Sequence, residues 1–295
     1  MKKVVLLGLL VFGLSVLALP QGNDQDKLPN IILIFTDDLG YGDLSCYGNK
    51  LTRTPHIDRL ADEGIRFTDF YAGASLCTPS RAALLTGTYP VRNSMAVNYR
   101  GECVCFPVDE MGLHPDEVTM AEVLKQKDYK TALIGKWHLG DQAEFLPTRQ
   151  GFDYYYGVPY SNDTGEGRFK WRGSNQSYDQ PPIPLMRNES VIEQPVVQPT
   201  LTQRYTREAT GFIQENKDHP FFLYYAHTMP HYPISASKDF VGTSKNGLYG
   251  DVIEEIDWSV GELSSLLEEL NLLENTLIIF ISDNGAPRTY KEASN

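Results

Sequence analysis

The chain has 295 residues, enough for one large domain or two modest ones with a sizeable core. Its 41% hydrophobic and 22% charged content is ordinary for a globular protein. A formal net charge of −12, from 26 basic against 38 acidic residues, argues against a nucleic-acid or anionic-membrane binder, because phosphate surfaces attract clustered Lys and Arg.

The chain opens with Met1-Lys2-Lys3, the apolar run VVLLGLLVFGLSVLAL and the polar stretch QGNDQDK. That is the layout of a secretory signal peptide over residues 1–18, with Val16 and Ala18 suited to the cleavage site. The run falls short of the roughly 20 apolar residues a membrane span needs. No other segment is a candidate span, so the expected destination is lysosomal or extracellular. Three sequons, at Asn162, Asn175 and Asn188, agree with that route. The four cysteines are Cys46, Cys77, Cys103 and Cys105, and the last two are too close in sequence to bridge each other without strain. The set does not read as a disulfide framework.

Next comes NIILIFT, residues 30–36, a nearly continuous apolar run expected of a strand buried on both faces. Residues 55–64 read as a helix with a starting proline and a terminating glycine. SLCTPSRAALLTG follows, and its Cys77 is open to several readings: packing, half of a disulfide, a metal ligand, or a residue to be modified. Residues 119–127 read as a helix and 130–134 as a strand. Residues 154–203, rich in Pro, Asn, Ser and Gly, read as a glycosylated excursion or a substrate-facing loop region, too long for a plain connection. FFLYYA at 221–226 is a strand, 251–273 an amphipathic helix or two, and LIIFIS at 277–282 a last buried strand. The alternation predicts an α/β fold with a largely parallel sheet.

In such sheets ligands sit beyond the carboxyl ends of the strands. There the sequence places Asp37 and Asp38, Lys136 and His138, His227 and His231, and Asp283 and Asn284. Singly each has a plain structural explanation: Asp, Asn and Gly favour turns, and a lone histidine is more often structural than catalytic. Together they converge on one edge. An extended backbone would put Lys136 and His138 on one face. Asp37, Asp38, Asp283 and Asn284 form an all-oxygen set that suits Ca2+ or Mg2+ over Zn2+, and Ca2+ is preferred for its tolerance of irregular geometry.

Cys77-Thr-Pro-Ser-Arg-Ala-Ala-Leu-Leu-Thr-Gly matches the signature C-x-P-S-R-x-x-x-L-T-G at every fixed position. With GKWHLG, PYSND and FFLYYAHTMPHYP, it makes the chain from residue 29 to about 284 resemble the sulfatase family, in its arylsulfatase branch. The resemblance implies an alkaline-phosphatase-like sandwich, a mostly parallel central sheet flanked by helices, in a catalytic domain over residues 29–295. It implies that Cys77 is oxidised by a formylglycine-generating enzyme in the endoplasmic reticulum. The hydrated aldehyde would take the sulfuryl group of a sulfate ester on one hydroxyl and expel sulfate through the other. Residue 77, so converted, would join Asp37, Asp38, Asp283 and Asn284 around Ca2+.

The resemblance also gives Arg81 the task of holding the aldehyde, His138 that of base, and Lys136, His231 and Ser161 those of sulfate contacts. Lys136 or His231 would protonate the leaving alcohol. His231 is preferred to His227 because it is followed by Tyr-Pro. A glycan beside Ser161 would crowd the site, so occupancy is expected at Asn175 and Asn188 and not at Asn162. The implied partners are sulfated small molecules, glycolipids or glycans. Family members continue beyond the equivalent of Asn295 with a further substrate-binding lysine, more sheet and a smaller C-terminal domain. The chain is therefore read as C-terminally incomplete, since the context of Lys291 does not match that lysine's segment. Two other readings stand beside this one: an impaired form that binds sulfated ligands without turnover, and a phosphoesterase of the same architecture.

Overall fold

The computed structural model describes residues 27–97, 101–164, 167–170 and 177–287; the expected cleavage site, Asn175 and Lys291 lie outside them. In chain order the elements are β1 (Asn30–Thr36), α1 (Pro55–Glu63), α2 (Cys77–Thr86), α3 (Met120–Lys125), β2 (Lys130–Lys136), β3 (Tyr154–Val158), β4 (Gly167–Lys170) and β5 (Ser177–Gln180). Then come β6 (Leu185–Arg187), β7 (Ser190–Glu193), α4 (Leu201–Glu215), β8 (Phe221–Ala226), α5 (Gly247–Glu269) and β9 (Thr276–Ser282).

Seven strands form the main sheet in the order β7-β6-β3-β2-β8-β1-β9. The five from β3 to β9 in that order run parallel, and β6 and β7 add an antiparallel edge. β4 and β5 form a separate two-stranded sheet.

Alternation along each strand feeds two cores. Ile32, Ile34, Leu223 and Tyr225 pack toward one side with α1, α4 and α5. Leu33, Phe35, Phe222 and Tyr224 pack toward the other with residues of α2 and α3. This three-layer arrangement explains why NIILIFT and FFLYYA carry apolar residues at nearly every position. β2 and β8 approach closely at Gly135, whose φ is +120° and whose hypothetical Cβ would lie 1.7 Å from the Ala226 carbonyl oxygen. Glycine is required there. Asp257 of α5 accepts from the His56 and Ile57 amides at 3.0 and 2.8 Å, satisfying orphan donors at the start of α1.

Three expectations change. LIIFIS is not a buried strand: β9 forms the edge of the sheet beside β1, and its residues are half-buried or exposed. Residues 154–203 are not one irregular excursion: β3, β6 and β7 belong to the main sheet, and their short lengths hide the alternation that would mark them. β2 runs two residues further than its apolar run, so Lys136 ends the strand instead of following it.

His227 follows β8 and turns into the helical layer, its Nε2 3.3 Å from Ser259 Oγ of α5. Burial pushes its pKa down to about 3. A histidine depressed in the folded state contributes stability that is complete above its unfolded value near 6.5 and is lost as pH falls toward about 3. In that window His227 is expected to make unfolding easier by up to about 1.4 kcal/mol per pH unit. Chemical denaturation of wild type and His227→Gln between these limits checks it: the variant's stability should depend less steeply on pH.

Candidate active site

α2 begins at Cys77 itself, and Pro79 is its third residue. The first turn of a helix leaves amides without intrahelical acceptors and favours an anion. No acidic residue occupies this first turn. Cys77 is 7% exposed, and its sulfur lies with one oxygen each of Asp37 and Asp283 in a group whose atoms are all within 4.8 Å of one another.

One turn further, Arg81 is wholly buried. Its Nη1 donates to the Lys136 carbonyl at 2.9 Å. Its Nη2 lies 3.3 Å from Asp37 Oδ1 and 3.5 Å from Asp283 Oδ2. The Phe35 ring lies beneath, its centroid 5.2 Å from the guanidinium carbon, a cation–π arrangement. Lys136, also wholly buried, donates to Asp37 Oδ2 at 2.5 Å and to Ser161 Oγ at 3.1 Å.

The carboxylates are knitted together by the strand ends. The Asp38 amide donates to Asp283 Oδ1 at 3.0 Å, and Ser80 Oγ to the Asp283 carbonyl at 2.6 Å. Asn284 Nδ2 donates to Asp38 Oδ1 at 2.6 Å. His231 Nε2 stands 3.7 Å from Asp38 Oδ2, while its Nδ1 is 2.6 Å from the Tyr232 carbonyl. Asn162, beside Ser161, is 1% exposed, and its Nδ2 donates to the carbonyls of His231 and Pro233 at 3.3 and 3.5 Å. Asn188 is exposed.

His138 is buried, and its φ of +62° departs from the extended backbone expected of it. A non-glycine residue there costs on the order of 1–2 kcal/mol. Its amide donates to the Pro159 carbonyl at 3.0 Å. His227 lies apart from this cluster, against α5.

Electrostatics follow from burial. Asp37 is pushed up by desolvation, but the charges of Lys136, His231 and Arg81 outweigh it and hold it well below the usual carboxylate range. Desolvation and the neighbouring Asp37 push Asp283 well above that range. Burial, with the Lys136 and Arg81 charges, drives His138 well below an ordinary histidine, so its ring is neutral. The Cys77 thiol is pushed up to about 12, chiefly by desolvation. Thiolate chemistry is closed to it near neutral pH.

Three buried oxygens here accept no hydrogen bond: Asp37 Oδ1, Asp283 Oδ2 and Asn284 Oδ1. Orphaned acceptors beside a carboxylate held protonated are what a hard cation would satisfy. The donor set therefore fits Ca2+. Phe35, Ser80 and Thr78 escaped the sequence reading as working parts. Ser80 was visible only as a fixed position of the motif, and Phe35 only as an apolar residue of β1.

The sequence profile of the sulfatase family matches residues 29–294. The chain is 46% identical to human arylsulfatase A over 288 residues, covering 93% of this chain and 55% of that protein. It is 41% identical to human steryl-sulfatase and 41% identical to human N-acetylgalactosamine-6-sulfatase, covering 88% of this chain in both cases and 55% and 50% of those proteins. A solved structure of the PsFucS1 sulfatase from Pseudoalteromonas sp. superposes with a TM-score of 0.75 at 33% identity, over 88% of this chain and 56% of that one. The chain thus spans about half the length of the curated relatives it matches. An intact signature, a buried cationic cluster behind it and these likenesses agree: the chain belongs to the sulfatase family.

Proposed function

We propose that this chain carries the catalytic centre of a sulfuric ester hydrolase of arylsulfatase type, acting through formylglycine made from Cys77 with Ca2+ beside it. The observation that carries the reading is Cys77 itself, buried at a helix start among Arg81, Lys136, Asp37 and Asp283, with its thiol held protonated. A nucleophile is needed in that place, and the thiol cannot serve. Conversion is a two-electron oxidation of the Cβ carbon in which sulfur leaves as sulfide and the electrons pass to an oxidant external to the chain. At 7% exposure residue 77 is out of an enzyme's reach once folded, which fits modification before folding. Hydrated, the aldehyde supplies a geminal diol, one hydroxyl to accept the sulfuryl group and another whose deprotonation releases sulfate.

The chain's own residues do the rest. Arg81 orients the group at residue 77 and offsets the charge of Asp37 and Asp283. Lys136 and Ser161, already hydrogen-bonded to each other, present cation and hydroxyl to sulfate oxygens. His231, the most exposed of these groups at 14%, stands at the mouth and is placed to protonate the leaving alcohol. His138, neutral and buried, is the base. Asp37, Asp38, Asp283 and Asn284, with residue 77, would hold the Ca2+, which lowers the pKa of an attacking hydroxyl.

Charge supports sulfate over phosphate. Asp283, held protonated without a cation, would ionise as one binds; three carboxylates, Arg81, Lys136 and a divalent cation then sum to one positive charge. A sulfate monoester carries one negative charge and would neutralise it, whereas a phosphate monoester dianion would not.

Among the described residues no helix is long and apolar enough to cross a membrane. The leader-like N-terminus and the sequons support a secretory, lysosomal or extracellular setting. Sulfated small molecules, glycolipids and glycans are the substrate classes, with the formylglycine-generating enzyme as the modifying partner.

Three measurements test this reading. In secreted protein, mass analysis of tryptic peptide 67–81 should find the aldehyde at residue 77, and an aryl sulfate should be turned over. An unmodified thiol would overturn the assignment, and aldehyde without turnover would leave a sulfate-binding form. Glycopeptide mapping should find carbohydrate on Asn175 and Asn188 and none on Asn162, whose Nδ2 is committed to the His231 loop; an occupied Asn162 in active protein contradicts this.

A further inference from the structure

Thr78 fills the variable position of the signature, between Cys77 and Pro79, and is 2% exposed. Its Oγ1 donates to the His138 carbonyl at 2.9 Å and accepts from the Cys105 amide at 3.1 Å. The Cys105 carbonyl closes the ring, 2.9 Å from His138 Nε2. One hydroxyl therefore ties together the start of α2, the loop after β2 and the segment around residue 105, all on buried atoms.

This ring fixes more than position. A carbonyl only accepts, so Nε2 must carry the ring hydrogen, and the neutral ring then has its lone pair on Nδ1. Nδ1 is buried and has no hydrogen-bond partner. His138 also sits in the left-handed region at φ +62°, where its carbonyl points along a direction that the Thr78 hydroxyl holds.

We infer that Thr78 is a positioning residue for His138: through the His138 carbonyl and the Cys105 peptide it locks the imidazole in the Nε2-protonated tautomer, with Nδ1 as the basic nitrogen. The inference rests on the reading of His138 as the base. It gives the variable position of the signature a task in this chain that only a small hydroxyl side chain performs: valine has the shape without the hydroxyl, and serine has the hydroxyl without the methyl.

The test compares wild type, Thr78→Val and Thr78→Ser, secreted from the same cells. Aldehyde content of peptide 67–81 is measured first, since all fixed signature positions remain and conversion should stay complete. Imidazole nitrogen NMR shifts, with the His138 signals among the six histidines assigned by difference from His138→Gln, then report the tautomer without substrate. Wild type and Thr78→Ser should show Nε2 protonated and Nδ1 bare; Thr78→Val should lose that single state. In turnover, Thr78→Val should lower kcat by about tenfold or more with KM within about twofold, by analogy with the scale for hydrogen-bonded supports of metal-ligating histidines. Thr78→Ser should recover kcat to within about threefold of wild type.

An Nδ1-protonated His138 in wild type overturns the inference, even if neither Thr78 variant folds. So does a fully converted Thr78→Val with wild-type kcat, or a Thr78→Ser as slow as the valine form. Absence of the aldehyde from wild type would strike the proposed function instead, leaving the tautomer readout to decide the role of Thr78.

Discussion

Two cations and two carboxylates are packed without solvent at the carboxyl edge of the sheet, and the rest of the site is arranged around keeping them there. Arg81, Lys136, Asp37 and Asp283 are each at 0% exposure. Burying such charges is costly, and leaving one unpaired would cost about 3–5 kcal/mol. The fold meets this with backbone: the Lys136 carbonyl takes one Arg81 donor, the Asp38 amide serves Asp283, and the Phe35 ring floors the guanidinium. Even so, Asp283 is driven toward its protonated form, and three oxygens accept no hydrogen bond. A site that keeps acceptors free of hydrogen bonds and a carboxylate short of ionisation is built for binding, not for stability.

The parallel sheet is what makes this convergence possible. β1, β2, β3, β8 and β9 end at one edge, and hydrogen bonding continues past the strands, as from the Asp37 amide to the Met229 carbonyl and from the Asp283 amide to the Thr36 carbonyl. Residues 246 apart in sequence, Asp38 and Asn284, are thereby brought into hydrogen-bond contact. α2 enters the same edge with its N-terminus first, so residue 77, the Arg81 charge and the Thr78 hydroxyl arrive together on one rigid element.

Much of this was legible in the sequence, for physical reasons. A strand buried on both faces must be apolar throughout, so β1 and β8 announced themselves, and the polar residues that follow them stood out as an edge. Asp37, Asp38, Lys136, Ser161, His231, Asp283 and Asn284 could all be named, and the structure gathers them around Cys77 and Arg81. What was missed lacks periodicity. β6 has three residues and β7 four, too few to show alternation, and Pro, Asn and Ser around them mimic a loop. The left-handed turn at His138 gives no compositional signal, because histidine has no special claim to that conformation, and so its true relation to Lys136 was hidden. The Thr78 ring is tertiary in all its parts and leaves no trace in spacing.

Calcium binding by the purified chain tests the charge-balance account most directly. Calorimetric titration into chelator-treated protein should show one saturable site per chain, weakened by at least about tenfold in Asp283→Asn, which removes a ligand charge. No binding to wild type, or binding indifferent to Asp283→Asn, would contradict the claim that these buried oxygens await a cation.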